Sequence, residues 1–355
     1  SKKLINNKIR SMKKISMQDI ARELDISITT VSFVVNGKNK EKGISDETTK
    51  KVKDLIKKRG FNPNASARAL RTGKSNTIVL IVEDIANSFF GSIAKYIEAA
   101  AYKNGYKIFY GSTDNNNEIA EALISNMKNS SVDGFIITPT NKLSGEITNL
   151  KNENIPFVLI DRVLPDIETN NVTLDNYIGA YDLTKHLIDN GYENIGFVTL
   201  SDGMSQMNDR RRGYQTALQI NKKKILPESY LEVTFQDNEL FVIDAITKYL
   251  KQNKKLDALF FATNYLGIYG LEAIQKSKLT IPDDIAVVSF DDNTLFRLTT
   301  PSITVASQPI EEIASTSIDL LLKSINKKGK NQRPISISLK PEIIIRNSSP
   351  KKKSK

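Results

Sequence analysis

The sequence predicts an α/β protein in which a small three-helix head precedes a body of two lobes, each a parallel sheet doubly wound with helices. Three observations carry this. Residues 16–60 show helical apolar spacing between serines that can cap helices and glycines that can end them. From Thr77 onward short apolar runs alternate with amphipathic segments, the pattern of a parallel sheet covered on both faces. The alternation restarts after Asp175, which implies two similar lobes with a cleft beyond the carboxyl ends of their strands. At 355 residues the chain has room for both parts.

In the head, Ser16 can accept the backbone N–H of Asp19, a near-match to the capping box, and Ile20, Ala21 and Leu24 form one stripe of the first helix. The chain turns at Asp25-Ile26-Ser27. Ser27 caps a second helix whose Val31, Val34 and Val35 point inward, and Asn36-Gly37 stops it. Two short helices joined by so brief a turn are the helix-turn-helix arrangement that places its second helix in the DNA major groove. Ile28, Thr29 and Ser32 remain outward, small or polar groups suited to base edges and thymine methyls. A third helix starts at Ser45, with Asp46 and Glu47 in its first turn and Lys57, Lys58 and Arg59 in its last, as the helix dipole favours. Gly60 ends it. Val52, Leu55 and Ile56 can close a miniature core over the first two helices.

The body reads as strands at TIVLIVE, YKIFYG, GFIITP and FVLID, with helices near 89–104, 117–128 and 144–153. The second half repeats this with strands IGFVTL, YLEVTF, ALFFAT and IAVVSF and helices near 177–190, 207–220, 240–252 and 266–277. A helix near 310–326 and strands ISISL and EIIIR finish it.

Charge separates head from body. Residues 1–75 hold 19 Lys and Arg against 7 Asp and Glu, or +12 of a formal total of +11. Residues 76–350 carry −5 and the lysine tail +4. A basic head on a mildly acidic body implies phosphate contact by the head alone. Cysteine is absent, no apolar run is long enough to span a bilayer and no signal-peptide pattern is present, so a cytoplasmic protein without membrane contact is expected. For an enzyme the sequence offers little. The lone His186 lies within a helix, and no phosphate-binding glycine loop or metal-ligand spacing stands out, so neither cofactor nor metal is expected. A solute receptor serving a transporter is disfavoured by the attached DNA reader.

The ordered set DIARELDIS, TTVSFVVNG, GFNPNASARALRTGKS, IVEDIANSFF, VLIDR, RRRGYQTAL, AVVSFDD and PSITVASQPIEEI resembles the lactose-repressor (LacI/GalR) family of transcription regulators across roughly residues 13–350. The resemblance implies a homodimer that binds a palindromic double-stranded operator, and a body with the type I periplasmic-binding-protein fold. It also implies that residues near 305–333 return to the first lobe. The expected division is an extension at 1–11, the helix-turn-helix domain at 12–61, a linker with hinge helix at 62–75, the effector-binding and dimerisation body at 76–348, and a disordered basic tail at 349–355. In the family, paired hinge helices enter the minor groove and a leucine wedges between base steps, spending stacking energy to bend DNA. Leu70 matches that leucine, and Ser66, Arg68 and Arg71 flank it.

Gln18, Ile28, Thr29, Ser32 and Phe33 are then the candidate groove contacts. Phe33 stands where the family usually has arginine, so it offers apolar contact in place of a bidentate pair with guanine, or else packs beside the third helix. In the effector cleft the family uses an arginine three residues before Gly-aromatic, here Arg210, and an aspartate after the fifth strand of the second lobe, here Asp291. These are expected to face each other across the cleft and clamp the hydroxyls of a small molecule. Phe89, Phe90, Asp161 and Asn264 complete the candidate set, and Tyr265 replaces the Asp of the family's Asn-Asp pair. The effector class implied is a sugar or sugar derivative, with a nucleobase as the alternative.

Overall fold

The computed structural model describes residues 15–61, 74–201, 203–225, 227–326 and 333–352. The chain divides into two compact units, Ser1–Ser75 and Asn76–Lys355. The expected extension at 1–11 and the hinge segment with Ser66, Arg68, Leu70 and Arg71 lie outside the described residues.

In the first unit, α1 (Met17–Glu23), α2 (Ile28–Val35) and α3 (Asp46–Arg59) enclose a core of Ile20, Ala21, Val31, Val34, Val52 and Leu55. The capping box is complete. Ser16 Oγ accepts from Asp19 N at 3.2 Å, and the Asp19 carboxylate accepts from Ser16 N at 2.9 Å. The turn into α2 passes through Asp25 at φ 51, and Ser27 Oγ then takes Thr30 N at 3.0 Å. Gly60, at φ 62, supplies the left-handed cap of α3. Arg59 reaches both carboxylate oxygens of Glu23, at 2.8 and 2.9 Å, tying the end of α3 to α1. Ser27→Ala is expected to destabilise this unit by about 1 kcal/mol, read as faster amide exchange at Val31 and Val34 with body exchange unchanged.

Among its described residues the second unit holds two six-stranded sheets. The first is ordered β11-β5-β4-β3-β1-β2 and contains β1 (Thr77–Val82), β2 (Lys107–Ser112), β3 (Gly134–Ile137), β4 (Phe157–Ile160), β5 (Asn171–Leu174) and β11 (Ser336–Leu339). The second is ordered β12-β10-β9-β8-β6-β7 and contains β6 (Ile195–Leu200), β7 (Tyr230–Val233), β8 (Ala258–Phe261), β9 (Ala286–Phe290), β10 (Thr304–Ser307) and β12 (Glu342–Ile344). Every pairing is parallel except β10 with β12. On the first sheet, α4 (Ser88–Lys103) and α12 (Ile310–Asn326) cover one face, and α5 (Asn117–Asn129) and α6 (Ser144–Asn152) the other. The second lobe packs α7 (Asn176–Asp189), α8 (Ser205–Ile220), α9 (Glu239–Gln252) and α10 (Asn264–Lys276) around Phe197, Tyr214, Phe260 and Phe261. The short α11 (Thr294–Leu298) follows β9.

The chain crosses between lobes after β5, after β10 and between β11 and β12. The expected return near 305–333 holds for α12, which packs on the first lobe, and is corrected only at its start. Thr304 to Ala306 pair in parallel with Val288 to Phe290 of the second lobe, so only α12 and β11 belong to the first. The tail expectation also needs correction at its start. Ser349 is fully buried and donates to Thr304 Oγ1 at 2.7 Å, Pro350 O accepts from Tyr192 Oη at 2.9 Å, and Lys352 Nζ pairs with Asp257 at 2.7 Å. The segment is held because it finishes the hydrogen bonding beside β10 and α7, which lysine content alone does not disclose.

His186 sits under this segment, its Nε2 2.9 Å from Ser349 Oγ. Burial pushes the imidazole below its ordinary value of 6.5, against the opposing pull of the Ser349 backbone and Asp189. A base whose folded value is lowered stays neutral in the fold while the unfolded chain takes up the proton first, so its contribution is present above 6.5 and lost on acidification. Thermal melts between pH 7.5 and pH 5 are expected to show a falling midpoint, with a shallower fall in His186→Gln. Equal slopes in both proteins would remove this group as the cause.

Candidate functional site

In the first unit the groove candidates occupy one helix and part of another. On α2, Ile28 is 45% exposed and Thr29 is exposed, while Val31 and Val34 are buried, so the outward turn is the one the spacing predicts. Ser32 is half-buried and its Oγ accepts from Asn36 Nδ2 at 3.2 Å. Phe33 is half-buried, with Lys42 Nζ 5.9 Å from its ring centroid. It is not among the side chains packed on the three-helix core, which leaves its ring available for apolar contact. Gln18 is exposed on α1.

In the second unit all six effector candidates line one narrow space between the lobes. Phe89 and Phe90, in the first turn of α4, meet edge to face at 4.9 Å and belong to the first-lobe core, so the cleft takes its floor from them. Asp161 leaves β4 at φ 67 and pairs with Arg162 Nε at 3.2 Å. The Arg162 guanidinium also donates to Glu83, at the end of β1, and to Asn115 Oδ1 at 2.7 Å. Burial pushes the Glu83 carboxyl up, opposed by Arg162.

Arg210 and Asp291 meet directly, but on the same wall. Arg210 projects from α8 and Asp291 follows β9 at φ 66; both belong to the second lobe, and their charged atoms are 3.4 Å apart. The expectation that they face each other across the cleft is thereby corrected, because the start of α8 and the carboxyl end of β9 converge on one side. Arg210 is 2% exposed. It donates to Asn176 Oδ1 at 2.8 Å and Ala262 O at 2.5 Å, and its guanidinium lies 3.7 Å from the Phe290 ring centroid. Asp291 accepts a second bond from Gln308 Nε2 at 2.6 Å, and burial pushes its carboxyl up against the pull of Arg210 and Gln308. Gln308 stands where the chain crosses from β10 to α12, so one carboxylate links a cleft arginine to an interlobe crossing.

Several bonds join the lobes. Asn264 Nδ2 donates to Asn87 Oδ1 and Ser88 Oγ, each at 3.2 Å, and Asn293 Nδ2 reaches Ser88 Oγ at 2.9 Å. Gln206 Nε2 lies 3.4 Å from Asp161 Oδ2. Beside the narrow space lies a cavity of about 380 Å3, which shares Glu83, Asn87, Asn264 and Tyr265 with it. Sequence reasoning did not single out Glu83, Gln206, Asn176 or Gln308. Glu83 had a signal available, since it follows an apolar strand just as Asp161 does; the others act through contacts that bring distant segments together.

A helix-turn-helix unit on a two-lobed α/β body with a polar interlobe cleft defines a ligand-responsive DNA-binding regulator. Residues 16–64 match the model of the bacterial regulatory proteins of the lacI family, and residues 184–349 match the periplasmic binding protein-like domain. The HTH-type transcriptional regulator RegA of Clostridium saccharobutylicum is 32% identical over 336 residues, covering 94% of this chain and 99% of that protein. A periplasmic binding protein/LacI transcriptional regulator from Alkaliphilus metalliredigens, complexed with D-xylulofuranose, is 25% identical with TM-score 0.68, over 77% of this chain and 99% of that one. The lac repressor dimer bound to operator and the anti-inducer ONPF shares the fold, with TM-score 0.83 at 20% identity over 95% of this chain and all of that one. The chain belongs to the LacI family: it is a DNA-binding transcriptional regulator, and its relatives are regulators rather than enzymes. Among the described residues no helix is long and apolar enough to cross a membrane.

Proposed function

We propose that this regulator is a cytoplasmic homodimeric repressor of carbohydrate uptake or catabolism genes, controlled by a small effector in the interlobe cleft. Residues 12–61 read the major groove through Gln18, Ile28, Thr29, Ser32 and Phe33. Residues 62–75 form the hinge, with Leu70 as the minor-groove wedge and Ser66, Arg68 and Arg71 beside it. The body from 76 onward takes the effector on Phe89, Phe90, Asp161, Arg210, Asn264 and Asp291. The observation that carries the effector reading is the convergence of those six residues on one interlobe space, with Asp291 tied to the crossing at Gln308. A relative's complex with D-xylulofuranose supports the sugar class.

Operator selection from a randomised DNA pool tests the DNA half. A roughly palindromic site is expected, bound by two chains with affinity falling steeply as salt rises, because phosphate contacts release counterions. Exchanging Ile28 and Thr29 for another pair is expected to change the selected sequence while non-specific affinity stays nearly constant. An unchanged selection would move recognition elsewhere on α2. Leu70→Ala is expected to weaken specific binding far more than binding to random DNA, and an equal loss on both would sink the hinge assignment.

A further inference from the structure

The effector cleft carries an excess of negative charge. The 380 Å3 cavity and the narrow space beside it are lined by five carboxylates, Glu83, Asp84, Asp161, Asp237 and Asp291, against two guanidiniums, Arg162 and Arg210. No lysine lines either space among the described residues. Both guanidiniums are already engaged, Arg162 with Glu83 and Asp161, and Arg210 with Asp291. Asp84 and Asp237 face the larger cavity, each accepting one backbone N–H, from Ala86 at 2.8 Å and Thr234 at 2.7 Å.

The same cavity has an aromatic wall. Tyr265 and Tyr269 stand with ring centroids 6.1 Å apart at 62°, and Phe235 joins them in the lining. Burial pushes the Tyr269 hydroxyl up, and the carboxylates of Glu239 and Asp84 push it further, which sets negative charge beside these rings. A third feature faces the narrow part. Gln206 is 4% exposed, and its Oε1 is buried with no hydrogen-bond partner among the described residues, an acceptor beside the narrow space. Around these stand the amides and hydroxyl of Asn87, Ser88, Asn264 and Asn293, which suit the hydroxyls of a polyol.

We infer that the effector is a hydroxylated ammonium compound of the amino-sugar class, its charged nitrogen held between the Tyr265 and Tyr269 rings and the carboxylates of Asp84 and Asp237. This deepens the effector reading above and rests on it. A neutral sugar closed into this cleft leaves the carboxylate excess uncompensated once water is expelled, and an acidic effector adds to it. An ammonium group recovers Coulomb attraction to the half-buried carboxylates of Asp84 and Asp237 and is drawn to the tyrosine faces. The hydroxyls of the same compound supply O–H donors for acceptors such as Gln206 Oε1 in the adjoining narrow space. Tyr265, where the family pattern has Asp, contributes a ring in place of a further carboxylate.

Two sets of probes test this on the full-length protein. The first needs no knowledge of stereochemistry: choline is compared with 3,3-dimethylbutan-1-ol, its uncharged carbon isostere, by ligand-observed NMR at pH 7. Choline is expected to bind about 10-fold more tightly, and the preference is expected to vanish in Asp84→Asn/Asp237→Asn and fall in Tyr265→Leu, with the isostere's affinity unchanged. Equal binding of the two probes, absent choline binding, or a preference that survives both variants overturns the inference. The second set compares glucosamine, galactosamine and mannosamine with glucose, galactose and mannose by calorimetry and by operator binding. At least one amine is expected to bind about 10-fold or more above its parent and to alter operator affinity. Parent sugars that match or exceed their amines leave the carbohydrate reading standing and overturn the charge inference. A choline preference without any sugar or amino-sugar response retains the cation cage and removes the carbohydrate reading.

Discussion

Gly213→Ala is expected to cripple the second lobe. A Cβ built at Gly213 on α8 would lie 2.2 Å from the carbonyl oxygen of Tyr177 and 2.9 Å from the amide nitrogen of Tyr181, both backbone atoms of α7. No rotamer change relieves a clash with main chain, so α7 and α8 must separate. Their contact encloses Leu183, Leu187, Tyr214 and Leu218, all buried in the second-lobe core. Overpacking of this kind costs about 3 kcal/mol when the neighbours cannot give way. Separation also shifts Arg210, one turn before Gly213, away from Asn176 on α7, to which its Nε is bonded at 2.8 Å. The expected result is a lowered melting transition for the body and lost effector response, with amide exchange of α1 to α3 unchanged. A wild-type melting curve would show that the two helices can adjust, and the close approach would then have no energetic consequence.

Local chemistry explains which elements were legible in the sequence. Ser16, Ser27, Ser45 and Gly60 mark helix ends through backbone groups only a few residues away, and all four act as the spacing predicts. Runs such as TIVLIV and ALFF are strands because both faces of a parallel sheet are covered, which leaves a nearly continuous apolar signature. The strands β5, NVTL, and β10, TVAS, lack that signature. They are short, interrupted by polar residues, and defined by partners more than ten residues away in sequence, so periodicity could not find them. The site divides in the same way. Asp161 and Asp291 are visible as acids following apolar strands. Their counter-charges and bonds come from Arg162, Arg210, Gln206 and Gln308, and only the fold states which acid meets which partner. Sequence reasoning therefore placed Arg210 and Asp291 at one interlobe space, as found, but on opposite walls, where the structure sets them on the same one.

Loss of Arg210 is expected to separate DNA binding from effector control. The guanidinium is 2% exposed and holds Asn176, Ala262 and Asp291 in one cluster over the Phe290 ring. Arg210→Ala leaves Asp291 with Gln308 alone, and a buried carboxylate deprived of its cation costs on the order of 3–5 kcal/mol. Asp291, whose carboxyl burial already pushes up, can relieve part of that by taking a proton, so the variant should be less impaired at pH 5 than at pH 7.5. Asp291→Asn is the milder partner. It keeps size and one acceptor for Arg210 or Gln308, so a folded body is expected together with an effector-binding loss of about 2–5 kcal/mol. The residues proposed to read DNA belong to the other compact unit, so both variants should bind operator in at least one ligand state while responding weakly to the effector. The direction of the locked phenotype follows from which state the effector favours: an inducer leaves the genes shut in these variants, and a corepressor leaves them open. Calorimetry with the active compound, paired with operator binding in its presence and absence, measures both quantities. Wild-type effector affinity in Asp291→Asn and in a folded Arg210 variant would remove the pair from the site and rebuild it around Phe89, Asp161 and Asn264.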